Sequence, residues 1–226
     1  MAGNSWHMDF KALLGFLSEL NRNNSKEWMD GHRSRYRGLR MDFIQWLDQL
    51  DCRLANLDPD YYPTPGTSGI NRINNNLLYH PNRPVYKDHF GAGLDKAPGM
   101  GDFYIQIGIG ESLLAGGIWR PPQESLHKIR QAIDYVGEVL QSLLDKPSFK
   151  ALFGNLYEDQ RLVRMPKGFS ANHPHADLLK HKSFGIVRTL TTKQIFASDF
   201  EDLIIETYLE MLPFRRYLNR ALSVAS

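Results

Sequence analysis

Three cationic segments with aromatic neighbours carry the chemistry this sequence could do. The first is Arg72-Ile73-Asn74-Asn75-Asn76-Leu77-Leu78-Tyr79 followed by Asn82-Arg83-Pro84-Val85-Tyr86-Lys87-Asp88-His89-Phe90. The second is Trp119-Arg120-Pro121, and the third is Arg164-Met165-Pro166-Lys167-Gly168-Phe169 with Lys180-His181-Lys182. In an extended strand the side chains alternate, so Lys87 and His89 share one face while Tyr86, Asp88 and Phe90 share the other. A cation on a half-buried sheet face needs a counter-charge, a water-filled groove or a ligand. Arg120 stands at the mouth of a helix opened by Pro121-Pro122, and a helix N-terminus favours anions.

Brought together, these segments make a basic and aromatic groove of the sheet. It suits a carboxylate, a phosphate or a nucleotide. The expected binding residues are Arg72, Tyr86, Lys87, His89 and Arg120, with Lys167 at the edge. The alternative is that Arg72, Lys87 and Arg120 pair with Asp88, Asp102 and Glu124 in surface or semi-buried bridges. A second reading makes the same groove an enzyme's, with Tyr86 or His89 as general acid or base and Lys87 lowering the relevant pKa. A third makes the chain a protein-interaction module with an apolar patch of Tyr61, Tyr62 and Trp28. The formal net charge of +2 argues against nucleic acid, whose binders carry a clear basic excess.

Other chemistries lack their residues. There is no phosphate loop, and Gly108-Ile109-Gly110 has neither the third glycine nor the strand-to-helix context of a dinucleotide fingerprint. His173, His175 and His181 form the one histidine cluster. Pro174 separates the first two, and their spacing does not align two ligands on one helix face, so no metal is expected. Asp48, Asp51, Glu138, Asp145, Glu201 and Asp202 read as solvated helix-face carboxylates. The single cysteine, Cys52, lies among Leu47, Leu50, Leu54 and Leu57 and reads as a small buried hydrophobe. No cofactor is implied. Met1 to Met8 contains no apolar signal core, and no run approaches a membrane span. A cytoplasmic protein that does not enter a membrane is expected.

These residues need a scaffold, and the hydrophobic periods supply one. Phe10, Leu13, Leu14, Leu17 and Leu20 form a helix capped by Asp9. Ser25 caps a second, which runs on through Tyr36 to Leu54 with a break near Gly38. The period then changes to two. Ile70–Asn74 and Val85–Gly93 read as strands, and Phe103, Ile105, Ile107 and Ile109 alternate in the clearest one. Ser112–Trp119 returns as its hairpin partner. Leu126, Ile129, Ile133, Val136, Leu140 and Leu143 make a helical stripe. Pro147–Phe153 is a short helix, Arg161–Met165 a short strand, His173–Leu179 a brief helix and Ser183–Leu190 a last strand. Ser198 and Glu201 have capping-box spacing for a C-terminal helix that Pro213 breaks or kinks before Phe214–Val224. Helices, then strands, then helices predict an α+β fold: one domain over residues 1–226, with a curved antiparallel meander packed against N-terminal, central and C-terminal helices.

The order of several motifs also carries a family resemblance. They are Asn23-Asn24 with Trp28 and Tyr36; Arg72-Ile73; Tyr86-Lys87 with His89-Phe90; Gly116-Gly117 with Pro121 and Ile129-Arg130; Pro166-Lys167-Gly168 with His173-Pro174; and Asp177 to Lys180 with Lys182-Ser183-Phe184. Together they resemble a conserved, mostly bacterial family catalogued as domain of unknown function 2461. The resemblance implies a single-domain protein without an assigned activity and supplies no catalytic residues. After the Arg-Ile pair, members often carry Arg-Asp-x-Arg-Phe; the matching positions here are Asn75, Asn76, Leu78 and Tyr79. Lys87 is retained, while the usual preceding proline is Val85. If the family's charged set serves an activity, this chain has lost it or changed ligand. If that set is a salt-bridge network, amides replace it.

Overall fold

The computed structural model describes residues 7–159 and 161–223. Most of the Met1–Met8 stretch and Val224 therefore lie outside the described residues. The fold is α+β, with a four-stranded antiparallel open sheet in the order β1-β2-β3-β4. The strands are β1 His89–Leu94, β2 Asp102–Gly108, β3 Ser112–Ile118 and β4 Phe184–Leu190. Ahead of them come α1 Phe10–Arg22, α2 Lys26–Gly31, α3 Arg33–Ala55 and α4 Gly66–Gly69. Between β3 and β4 lie α5 Gln123–Asp145, α6 Pro147–Phe153 and α7 Ala176–Leu179, and α8 Thr192–Ile195 and α9 Phe200–Ser223 follow. None of the described helices is long and apolar enough to cross a membrane.

The described residues form two compact units, one falling within 1–96, 104–114 and 189–202, the other within 97–103, 115–188 and 203–226. In the first, Asp9 accepts from the Ala12 N–H at 2.9 Å and Ser25 from the Trp28 N–H at 3.2 Å, so both expected caps form. Each satisfies a donor that a helix start leaves open. The helix break falls at His32, not Gly38. His32 leaves helical geometry, stacks on Trp28 with ring centroids 3.9 Å apart, and donates from Nδ1 to the Trp28 carbonyl. Gly38 lies within α3. Leu13, Phe16, Leu17 and Leu20 meet the core from α1, and Phe43, Trp46, Leu47 and Leu50 from α3. Cys52 is exposed, against the sequence expectation. Two residues are about 200° of helical turn, so a position between buried Leu50 and Leu54 faces away from both.

Ile70–Asn74 and Val85–Asp88 do not form strands. They pair only through isolated bridges, Ile70 with Ala92 and Asn74 with Tyr86. The backbone hydrogen bonds here join Asn71 to Gly91, Lys87 to Ile73 and Asn75 to Val85, too few for a continuous ladder. The expected Ser198–Glu201 box does not fit α9, which begins at Phe200 with Asp199 before it, and Glu201 is engaged by Trp46 and Arg53. The capping box instead starts α8, from Thr191 to Gln194.

In the second unit, α5 begins at Gln123, after the proline pair, and its buried residues are Ile129, Ile133, Gly137, Leu140 and Leu144. Val136 is non-helical (φ −138°, ψ 39°) and kinks the helix, which moves it off the expected stripe. Gly137 is needed there, since a Cβ would stand 2.4 Å from the His175 ring. Gly117 has φ +114° and a Cβ would meet the Phe184 carbonyl at 2.1 Å, so only glycine closes β3 against β4 here. Pro213 lies inside a continuous α9. The expected strand Arg161–Met165 is a single bridge, Arg161 with His181.

Candidate functional site

The first unit holds four of the six expected binding residues: Arg72, Tyr86, Lys87 and His89. Their backbone is fixed by a reciprocal clamp. The Asn24 side-chain oxygen accepts from the Tyr86 N–H at 2.9 Å, and its amide donates to the Tyr86 carbonyl at 3.0 Å. On the other edge the Lys87 N–H donates to the Ile73 carbonyl and the Asn75 N–H to the Val85 carbonyl. One side-chain amide thus does the work of a neighbouring strand. The Asn75 side chain ties the far end of the loop to the Pro84 carbonyl at 2.9 Å. Asn75 therefore has a structural task.

Lys87 extends its ammonium to the Arg72 carbonyl at 2.8 Å. Burial, and then the guanidinium groups of Arg72 and Arg83, push its pKa below the ordinary lysine value. Among the described residues no carboxylate lies within ion-pair distance of Arg72, Arg83 or Lys87. The sequence-level alternative, pairing to Asp88 or Asp102, does not form for Arg72 or Lys87. Arg83, part of the first cationic segment but outside the expected binding set, acts on Lys87 through the return of the 75–84 loop. That loop also leaves Leu78 and Tyr79 84% and 73% exposed.

Tyr86 is 5% exposed, with its side chain beside Arg33 and Tyr36. It serves the core and presents no ring face to a ligand. His89 Nδ1 lies 2.9 Å from an Asp88 carboxylate oxygen. A carboxylate only accepts, so Nδ1 carries the proton and Nε2 is left as the basic nitrogen. The Gly108-Ile109-Gly110 turn makes room for this pair. A Cβ on Gly108 would meet the His89 Cβ at 2.6 Å, and one on Gly110 would meet an Asp88 carboxylate oxygen at 2.6 Å.

The other two residues belong to the second unit. Arg120 has φ +44°, donates its N–H to Ser183 Oγ at 3.0 Å, and grips Asp159 with Nε at 2.7 Å and Nη2 at 2.9 Å. The hydrogen bond and charge of Arg120 hold the Asp159 carboxyl below the usual range, against a smaller effect of burial. Its partner is Asp159, 39 residues away, and not Glu124. Lys167 is exposed, and no described carboxylate pairs with it.

In the histidine cluster, partners are fixed for the His173 ring. His173 Nδ1 accepts from the His175 N–H at 3.0 Å, which leaves Nε2–H to donate to Asp134 at 3.1 Å. Both ring nitrogens are occupied. His181 is buried, and burial followed by the Arg161 charge pushes its pKa down. Among the described residues no group of three or more His, Cys, Asp or Glu is placed to hold a metal. Asp51 departs from its expected solvated place: it is 8% exposed and accepts from the Tyr61 hydroxyl at 2.5 Å and the Thr64 N–H at 2.9 Å. Tyr61 is buried by that bond, so only Tyr62 of the proposed interaction pair is exposed.

Against known proteins, a family model described as conserved hypothetical protein (DUF2461) matches residues 12–217 of the 226-residue chain. No curated protein and no solved structure matches the chain.

Proposed function

The chain belongs to the family of conserved hypothetical proteins DUF2461, and from that premise we propose that its first unit binds a small anion at Arg72, Arg83 and Lys87. The observation that carries this reading is the half-buried Lys87 ammonium, which feels the charges of the Arg72 and Arg83 guanidinium groups and donates to a backbone carbonyl, that of Arg72. Three like charges repel in a partly desolvated site, and an anion relieves that repulsion. A phosphate or carboxylate offers the several acceptor oxygens that guanidinium donors match. Exposed Tyr79 on the same loop gives an organic ligand an apolar contact. His89 and Tyr86 of the broader groove contribute differently: Tyr86 by anchoring the segment that leads into β1, His89 by flanking Lys87.

The test is a phosphate titration followed by amide NMR at low salt. Saturable shifts at Arg72, Arg83 and Lys87 are expected, weakened about tenfold by Lys87→Ala. Affinity should also fall with added salt. Absence of saturation in the wild type, or an unchanged affinity in Lys87→Ala, rejects the proposal.

The Asp88–His89 pair supports a second reading, acid–base catalysis with His89 Nε2 as the base. Asp88 would act as a positioning residue that fixes the tautomer. Nitrogen-15 chemical shifts of the His89 ring report the tautomer directly, and a proton found on Nε2 of the neutral ring removes this reading.

A further inference from the structure

A groove lined by α5 and α9 lies in the other unit. Its volume is about 690 Å³, within the range of small-molecule sites. From α5 come Lys128, Ala132, Tyr135, Val136 and Val139, and from α9 come Pro213, Arg216, Tyr217, Arg220 and Ala221. These positions follow helical spacing, so each helix gives one continuous face. It is adjacent to, and distinct from, the α5 stripe of Ile129, Ile133 and Leu140 that enters the core. On this groove α5 loses regular geometry at the Val136 kink, and α9 carries Pro213, which has no N–H to donate.

We propose that this groove binds an amphipathic organic anion, an aliphatic carboxylate, with its chain along Val136, Val139 and Pro213 and its head at Arg220 and Tyr217. Three features support that occupant. The walls are apolar or aromatic, and Tyr135 and Val139 are strongly exposed, an arrangement that a filled groove would make favourable. The charged lining is cationic: Lys128, Arg216 and Arg220. Lys128 has only a long contact of 3.8 Å to Glu124, and among the described residues no carboxylate pairs with Arg220. Finally, Tyr217 is 9% exposed and its buried hydroxyl has no hydrogen-bond partner among the described residues, a deficit that folded proteins seldom leave unexplained. Burial, and then the Glu138 charge, push this phenol up to about 12. It therefore keeps its proton and can only gain a carboxylate by donating to it. Glu138 is the acidic group that acts on Tyr217; the cations outnumber it.

The test compares dodecanoate with dodecyltrimethylammonium, both below their micelle-forming concentrations, by amide NMR and thermal shift. Dodecanoate should move Ala132, Val139 and Ala221 saturably and raise the melting temperature; the cationic amphiphile should do neither. Arg220→Glu, an exposed substitution, should weaken dodecanoate about tenfold or more, and Tyr217→Phe should weaken it less. Phosphate binding at Lys87 should be unchanged in Arg220→Glu, which separates this site from the first. Equal binding of both amphiphiles, or no effect of Arg220→Glu, overturns the proposal. So does a concentration-dependent dimer that Val139→Asp abolishes while dodecanoate fails to bind, since the groove would then be filled by a second copy of the chain.

Discussion

Replacing Asn24 by alanine should loosen the candidate anion site from a position outside the three proposed binding residues. The substitution deletes two hydrogen bonds to Tyr86, one to its N–H and one to its carbonyl. Each is worth about 1 kcal/mol net, and each buried group left unpaired adds a desolvation cost, so a loss of about 2–4 kcal/mol is expected. That is a large share of the about 5–15 kcal/mol that holds a typical domain folded. The adjacent Asn23 is a matched control. It bonds the Glu19 carbonyl of its own helix on an exposed surface, so Asn23→Ala should cost less than about 0.5 kcal/mol. Urea unfolding gives the difference, read as a lower midpoint at unchanged slope. Amide exchange adds a local readout, because the Tyr86 N–H should lose protection first. The clamp reasoning fails if Asn24→Ala costs no more than Asn23→Ala, or if Tyr86 exchanges at the wild-type rate. If it holds, phosphate affinity at Lys87 should drop as well, since the lysine's backbone is set by the same clamp.

Two further predictions concern the second unit. His181 has its pKa pushed below the ordinary 6.5 in the fold. On the acid side the unfolded chain takes up a proton that the folded chain resists, so stability is complete above about 6.5 and falls as pH drops through the lowered value. Melting temperatures from pH 7.5 down to 5 should show this loss, and His181→Gln should reduce it; an identical profile in the variant refutes the assignment. Gly117→Ala should destabilise by about 2–4 kcal/mol, because a Cβ 2.1 Å from the Phe184 carbonyl at φ +114° forces both overpacking and backbone strain. A denaturation midpoint within error of the wild type would contradict it.

The parts of the fold that depend on local periodicity were legible in the sequence. Phe103, Ile105 and Ile107 alternate into the core of β2 as their spacing predicts, and Asp9 and Ser25 cap the helices they precede. What local pattern could not supply was the partner across the chain. Arg120 meets Asp159 rather than Glu124, which is nearer in sequence, and His173, in the loop before α7, meets Asp134 on α5. Asp51 looked solvated on a helix face because the loop that buries it, through Tyr61 and Thr64, has no period. Ile70–Asn74 carried strand-like residues but pairs at isolated points, since the polar loop beyond it takes the backbone elsewhere. The cationic site was half visible. Arg72 and Lys87 stood out by type, whereas Arg83 joins them only through the loop's return.

The outward turn of Cys52 has a practical consequence for handling the protein. It is the chain's single cysteine, and its thiol is exposed. No intramolecular disulfide can form, so air oxidation leads to a covalent link between two molecules or to a capped sulfur. A dimer band on a non-reducing gel would therefore report storage history unless reductant leaves it intact. The same geometry makes Cys52 a single-site attachment point for a maleimide dye or spin label, on α3 and away from Lys87 in the sequence, without any engineered cysteine.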